Sequence, residues 1–192
     1  MFVMKNSFWS DAARCGAYVG LLLAASSVLE TGAVLSGKMG LYAVVIFEWL
    51  AVVALHIYLL LRFTRRRSAF YAAEEGFSFG QGYGYVLAVS LPAGVILGVA
   101  NYIFVHLVLG YERYVDKISD ILSQFVSMSG AQNASLTMLV EQLQQTPEPS
   151  LLATIWSGIW SSLLFGAVFG LIVAGVSARA PQLFSDKGSD HE

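Results

Sequence analysis

Residues 74–92 read EEGFSFGQGYGYVLAVSLP, with glycine at positions 76, 80, 82 and 84. Such a stretch is either a glycine-rich loop that holds a phosphate or the start of a membrane helix. A phosphate loop needs a strand before its turn and a helix after it, so that backbone N–H groups converge on the anion. The residues upstream are RRRSAFYAAEEGFSF, a polar connection, and no Gly-Lys-Ser/Thr ending is present. Downstream, an apolar run continues to Leu109. The stretch therefore reads as a helix start. Gly76, Gly80, Gly84 and Ala88 recur every fourth residue and lead to Pro92, a spacing that lets two helix backbones approach closely in lipid.

The composition agrees. The chain has 192 residues, 56% hydrophobic and 12% charged, with mean hydropathy +0.64, against roughly 25% charged residues in a soluble domain. A fold of this size cannot bury so much apolar surface in its own core, so the surplus faces lipid. The net charge of −2 offers no basic face to a nucleic acid, and none is expected as a partner. Cys15 is the only cysteine, so no intramolecular disulfide forms.

Four segments reach the roughly 20 apolar residues a hydrocarbon core requires: 12–35, 41–63, 82–109 and 151–178. At the first, Lys5 and Arg14 precede an apolar block from Cys15 to Leu29 as in a signal peptide, but the helix continues past Glu30 toward Gly37 and no convincing small-residue cleavage site follows the block. The expected fold is an all-α polytopic membrane protein, one domain over 1–180 followed by a disordered cytoplasmic tail, 181–192. With four spans both termini share a side. That side collects Lys5, Arg14, Arg62, Arg65, Arg66, Arg67, Arg179 and Lys187, and the other holds Lys38, Arg113 and Lys117. The positive-inside rule then places both termini in the cytoplasm.

The connection over 111–150 is too long for a structureless turn. Apolar residues at 111, 114, 115, 118, 121, 122, 125 and 126 follow the helical period, with Glu112, Arg113, Asp116, Lys117, Asp120 and Gln124 opposite. Gly130 closes this helix, and Leu136, Leu139, Val140 and Leu143 mark a shorter second one before TPEPS. The pair forms an extracytoplasmic helical insertion, either a cap on the bundle or a docking platform. Asn133 opens the three-residue glycosylation pattern NAS.

Helix packing has a second, longer stripe in the last span: Gly158, Ser162, Gly166, Gly170, Ala174 and Ala178. Gly16, Gly20 and Ala24 repeat the spacing in the first span, and Ser90, Gly94 and Gly98 in the third. Pro92 removes a backbone hydrogen bond and is expected to kink the third helix. Four polar residues inside apolar spans form a candidate cluster: Glu30, Glu48, Asn101 and His106. A charge at mid-bilayer costs about 2.5–3.5 kcal/mol on insertion scales, so such groups either share a proton or cation or reach the headgroups. His56 reads as a hydrogen bonder between helices. Arg62, Arg65, Arg66 and Arg67 are expected at anionic lipid headgroups.

Catalytic signatures are missing: there is no His-Glu-x-x-His, no Cys-x-x-Cys and no Gly-x-Ser-x-Gly. Three histidines do not make a metal site, and neither metal nor cofactor is expected. The segment FSFGQGYGY, with FWSDAARCGAYVGLLL near the start and LIVAGVSAR near the end, resembles a domain-of-unknown-function family of small four-helix bacterial inner-membrane proteins. That family's third helix opens on a Leu-Ser-Phe-Gly-Gln/Lys-aromatic pattern, often with a basic residue where Tyr83 stands. The resemblance implies four spans in a bacterial inner membrane and carries over no catalytic residue. Three functional readings follow: an accessory subunit of an envelope complex, with a protein partner or a second copy; a small proton- or cation-coupled transporter; and an enzyme or helper acting on lipid-linked substrates.

Overall fold

A computed structural model of the chain describes residues 7–128 and 134–181. Among these described residues six α-helices follow one another: α1 Phe8–Leu35, α2 Met39–Ser68, α3 Phe79–Tyr102, α4 Tyr111–Met128, α5 Ala134–Gln145 and α6 Leu151–Ser177. A π-helical segment, Ile103–Leu109, extends α3. Asn133 and the tail from residue 182 lie outside the described residues.

The helix ends follow local chemistry. Ser7 and Ser150 cap α1 and α6 by accepting from the backbone N–H groups of Ser10 and Ala153. Ser78 and Gln81 form a capping box that starts α3 at Phe79. Gly76 is therefore not on the helix. It holds a left-handed φ of 68° in the preceding turn, and a Cβ there would lie 2.7 Å from the carbonyl of Arg179. That turn pairs Phe77 with Arg179 through two 2.8 Å backbone hydrogen bonds, which ties the α2–α3 connection to the end of α6. α2 runs five residues beyond its expected end at 63, so Arg65, Arg66 and Arg67 occupy its last turn, where cations suit the helix dipole.

α1, α2, α6 and α3 with its π extension are long and apolar enough to cross a membrane. The chain is a multi-pass helical membrane protein. α3 is the hub, packed along α6 and α1. A Cβ at Gly94 would sit 2.5 Å from Ile159 Cα, and one at Gly158 2.5 Å from the carbonyl oxygen of Gly94. Farther along the seam Gly166 meets Ser90, Gly170 meets the Tyr83 ring, and Gly82 meets Ala174. On the other side of α3, Gly16 lies under Pro92, and a Cβ at Gly20 would meet Ala93 at 2.9 Å. α3 continues through Pro92, whose ring lies over the missing side chain of Gly16. Gly80 and Gly84 face the other way: a Cβ at either meets nothing within 4 Å. They are not part of the packing seam, because the glycines that face α6 and α1 are Gly82, Gly94 and Gly98 and their partners.

α4 and α5 pack on each other at the end of the bundle where α1 and the π segment stop. α4 half-buries Tyr114, Val115 and Ile118 and exposes Glu112, Arg113, Asp116 and Asp120. Lys117 reaches back to donate to the carbonyl of Leu35 at 3.4 Å, satisfying a carbonyl at the C-terminal end of α1.

Candidate functional site

A cavity of about 300 Å³ opens inside the bundle, bounded by all four spanning helices. Its polar wall is Ser26, Ser27 and Glu30 on α1, His56 on α2, Asn101 on α3 and Ser161 on α6. Leu23, Trp49, Val52, Val53, Leu97, Phe165 and Phe169 supply the rest. Helix periodicity explains the grouping. Positions 23, 26, 27 and 30 share one face of α1, and 49, 52, 53 and 56 share one face of α2.

The polar groups are partly paired. Ser26 Oγ donates to Glu30 Oε1 at 2.9 Å, and Ser27 Oγ donates to Asn101 Oδ1 at 2.8 Å, joining α1 to α3. His56 is 2% exposed, and its Nε2 has no hydrogen-bond partner among the described residues. Its ring stands edge-on to Phe169 at 5.7 Å. A buried polar atom left unpaired is costly and calls for an explanation. No lysine or arginine lines the cavity among the described residues, so Glu30 has no cationic side chain there.

The expected cluster of Glu30, Glu48, Asn101 and His106 is thus divided. Glu30 and Asn101 share the cavity, with His56 in it. Glu48 is half-buried on α2 and is not part of the wall; its Oε2 has no partner among the described residues. His106 lies in the π segment, stacked on Tyr102 at 4.2 Å and Tyr111 at 5.3 Å. Its Nδ1 donates to the carbonyl of Tyr102 at 3.2 Å, and its Nε2 is 3.6 Å from Glu148 Oε1. His106 thus faces the α5–α6 connection through Glu148 and is not part of the wall that Glu30 lines.

A second polar group occupies the arginine-rich end. Asp11, 3% exposed, accepts from Arg66 Nη2 at 3.0 Å and from Tyr85 Oη at 2.7 Å, and Arg14 stands 3.8 Å away. Tyr85 has one hydroxyl proton, and the shorter contact to Asp11 takes it. Cys15 Sγ, 3.5 Å from the same oxygen, is then placed to donate to it. The group joins α1, α2 and α3 at one point. It changes the reading of the arginines, because Arg66 pairs with Asp11 and Arg67 lies over the rings of Phe8 and Phe70 at 5.4 and 5.8 Å. Arg62 and Arg65 stay exposed. Asp11 escaped sequence reasoning because it sits one turn into an apolar helix, although it shares a face with Cys15 and Val19.

Among the described residues no three or more His, Cys, Asp or Glu side chains are grouped to hold a metal ion. Comparison with curated proteins and with solved structures gives no match. A family model described as "Protein of unknown function (DUF4199)" matches residues 14–179, most of the chain and all of it that builds the cavity. The chain belongs to the DUF4199 family, a family of proteins of unknown function.

Proposed function

We propose that this membrane protein is a small carrier whose working site is the cavity among α1, α2, α3 and α6, with Glu30 as the group that exchanges a proton or a cation. One observation carries this reading: a carboxylate without a cationic side chain opposite it lines the same intramembrane cavity as a buried, unpartnered His56. Ionisable groups at membrane depth are expensive, and those that face a cavity mark ion and proton pathways. His56 takes the place first expected for His106. The arginine-rich end is then cytoplasmic under the positive-inside rule.

The test is proton flux into vesicles that contain the purified chain and an internal pH-sensitive dye. Glu30→Gln should abolish the flux, and Glu48→Gln should leave it intact. Flux that is unchanged in Glu30→Gln sinks the proposal.

An accessory role in an envelope complex rests on a separate feature, the outward face of α3. There Gly80 and Gly84 meet nothing within 4 Å, and small residues on a lipid-facing stripe admit the backbone of another helix. A cysteine placed at position 84 should then crosslink to a partner or to a second copy in cells. A chain that stays monomeric removes this reading. Action on lipid-linked phosphates needs arginines facing headgroups, and Arg66, spent on Asp11, is a poor candidate.

A further inference from the structure

Resting on the cavity as the working site, we infer that its ligand is a small organic cation: a protonated amine with an apolar body. Charge gives the sign. Glu30 is the only carboxylate in the wall, and no lysine or arginine faces it among the described residues. An anion would meet a carboxylate in a low-dielectric medium, where like charges repel most strongly. A cation finds its counter-ion there.

The rest of the wall separates an organic cation from a bare metal ion. A hard metal ion gathers six or more oxygens when it sheds its water. Here the wall offers a single carboxylate, and Ser26 and Ser27 already donate to Glu30 Oε1 and Asn101 Oδ1, which holds those oxygens in place on the helices rather than free to close around an ion. What stays open is the remaining bonding capacity of the Glu30 carboxylate, the Ser161 hydroxyl and the unpartnered Nε2 of His56. An ammonium group has several N–H donors and can give one to each. His56 then binds as the neutral imidazole, with Nε2 as acceptor.

Size and surface point the same way. About 300 Å³ is many times the roughly 30 Å³ a water occupies in the liquid, and it lies at the lower edge of the range for small-molecule pockets. Most of the wall is apolar, and three of its residues are aromatic: Trp49, Phe165 and Phe169. Aromatic faces attract a desolvated cation and also cover a hydrocarbon body. A bare ion leaves that surface unused.

Trp49 makes binding visible. In the full-length chain carrying Trp9→Phe, Trp156→Phe and Trp160→Phe, Trp49 is the only tryptophan. The titration uses 2-phenylethylammonium, its neutral isostere 2-phenylethanol, and sodium chloride. The amine should shift Trp49 fluorescence in a saturable way and bind at least tenfold more tightly than the alcohol, with no response to sodium. Glu30→Gln should remove that preference while the gel-filtration profile in detergent stays unchanged. Phe165→Leu, which removes a ring but no charge, should weaken amine binding several-fold and guards against a misfolded glutamine variant. Equal binding of amine and alcohol, or a saturable response to sodium, overturns the ligand class and leaves the cavity as a site. Glu30-dependent proton flux in vesicles without any amine binding also overturns the class while the carrier reading stands. Absence of both flux and binding removes the two together.

Discussion

The two sides of the bundle are built on different rules. Where α3 meets α6 and α1, glycine, alanine and serine bring backbones into contact. Where α2 joins, large side chains dominate, and Phe47, Trp49, Leu50, Leu55 and Tyr58 remain exposed. Hydropathy does not tell the sides apart. α2 is the most apolar span at 2.3, yet only 11% of its most apolar stretch is buried, against 39% for α3 at 1.9. In water the reverse ordering would hold. In lipid a leucine gains nothing by leaving the solvent, so residues that pack closely are selected for smallness rather than for apolarity. The cavity and its polar groups lie where the tight seam ends and α2 begins.

The strongest way to break this contrast is to place a side chain in the seam. Gly158→Leu must push apart the backbones of α6 and α3, because even a Cβ would lie 2.6 Å from Gly98 N and 2.5 Å from Gly94 O. Overpacking of ordinary cores costs about 1–3 kcal/mol. With backbone on both sides no side chain can yield, so the loss should exceed about 3 kcal/mol. Denaturant titration in detergent should show Gly158→Leu unfolding first among all single variants. Near-native stability would mean that the seam is looser than its geometry.

The Asp11 group ranks next, since it is where α2 is tied to the α1–α3 pair. Asp11→Ala leaves the Tyr85 hydroxyl buried without its acceptor and Arg66 without its carboxylate. An unmade buried hydrogen bond costs about 1–3 kcal/mol, and the Arg66 contribution is small because that side chain is 47% exposed. A loss near 2 kcal/mol is expected. Tyr85→Phe alone should cost less, and combining it with Asp11→Ala should add little. Additive losses in that double-mutant cycle would show that the two side chains do not act as a pair.

How much of this was legible follows from the same contrast. The four spans, the amphipathic α4 and the small-residue stripe of α6 from Gly158 to Ala174 could be read directly, because length, period and residue size are local properties, whereas Ala178, expected on that stripe, is the exposed cap beyond the helix. Gly80 and Gly84 misled, because a four-residue spacing states that a face is small and not which way it points. The capping box at Ser78 moved Gly76 off the helix altogether. The cavity was half legible. Glu30 and Asn101 stood out as polar residues in apolar runs, and so did Glu48 and His106, which go elsewhere. Depth along a span can be read from sequence, whereas rotation about the helix axis can be read only from the company a residue keeps on its own face. The serines at 26 and 27, on the face of Glu30, and Trp49, Val52 and Val53, on the face of His56, were that signal. The π winding over Ile103–Leu109 was not legible.

A third variant separates function from packing on the α2 side. If Nε2 of His56 is kept unpaired for a ligand, the fold bears its cost at rest. His56→Leu should then raise stability by about 1 kcal/mol, since replacing an unsatisfied buried polar group with an apolar one of similar size removes the desolvation penalty. Proton flux in vesicles should fall at the same time, the usual exchange of activity for stability at a working site. A destabilised His56→Leu protein would assign the ring a structural role instead.

The smallest effect tests the outward face of α3. Gly80→Ala meets no neighbour within 4 Å, so only backbone entropy and helix propensity act. Alanine is favoured over glycine inside a helix by up to about 1 kcal/mol. Gly80 sits two residues past the Ser78 cap, where the first turn is only partly committed, so the gain should be a few tenths of a kcal/mol. Measured on the isolated chain in detergent, Gly80→Ala should therefore be neutral or slightly stabilising, the opposite sign from Gly158→Leu. The informative case is a variant that is neutral in detergent yet lost from a crosslinked species in the membrane. That outcome would mean that this face, idle within one chain, is a second seam of the same kind, completed by another helix.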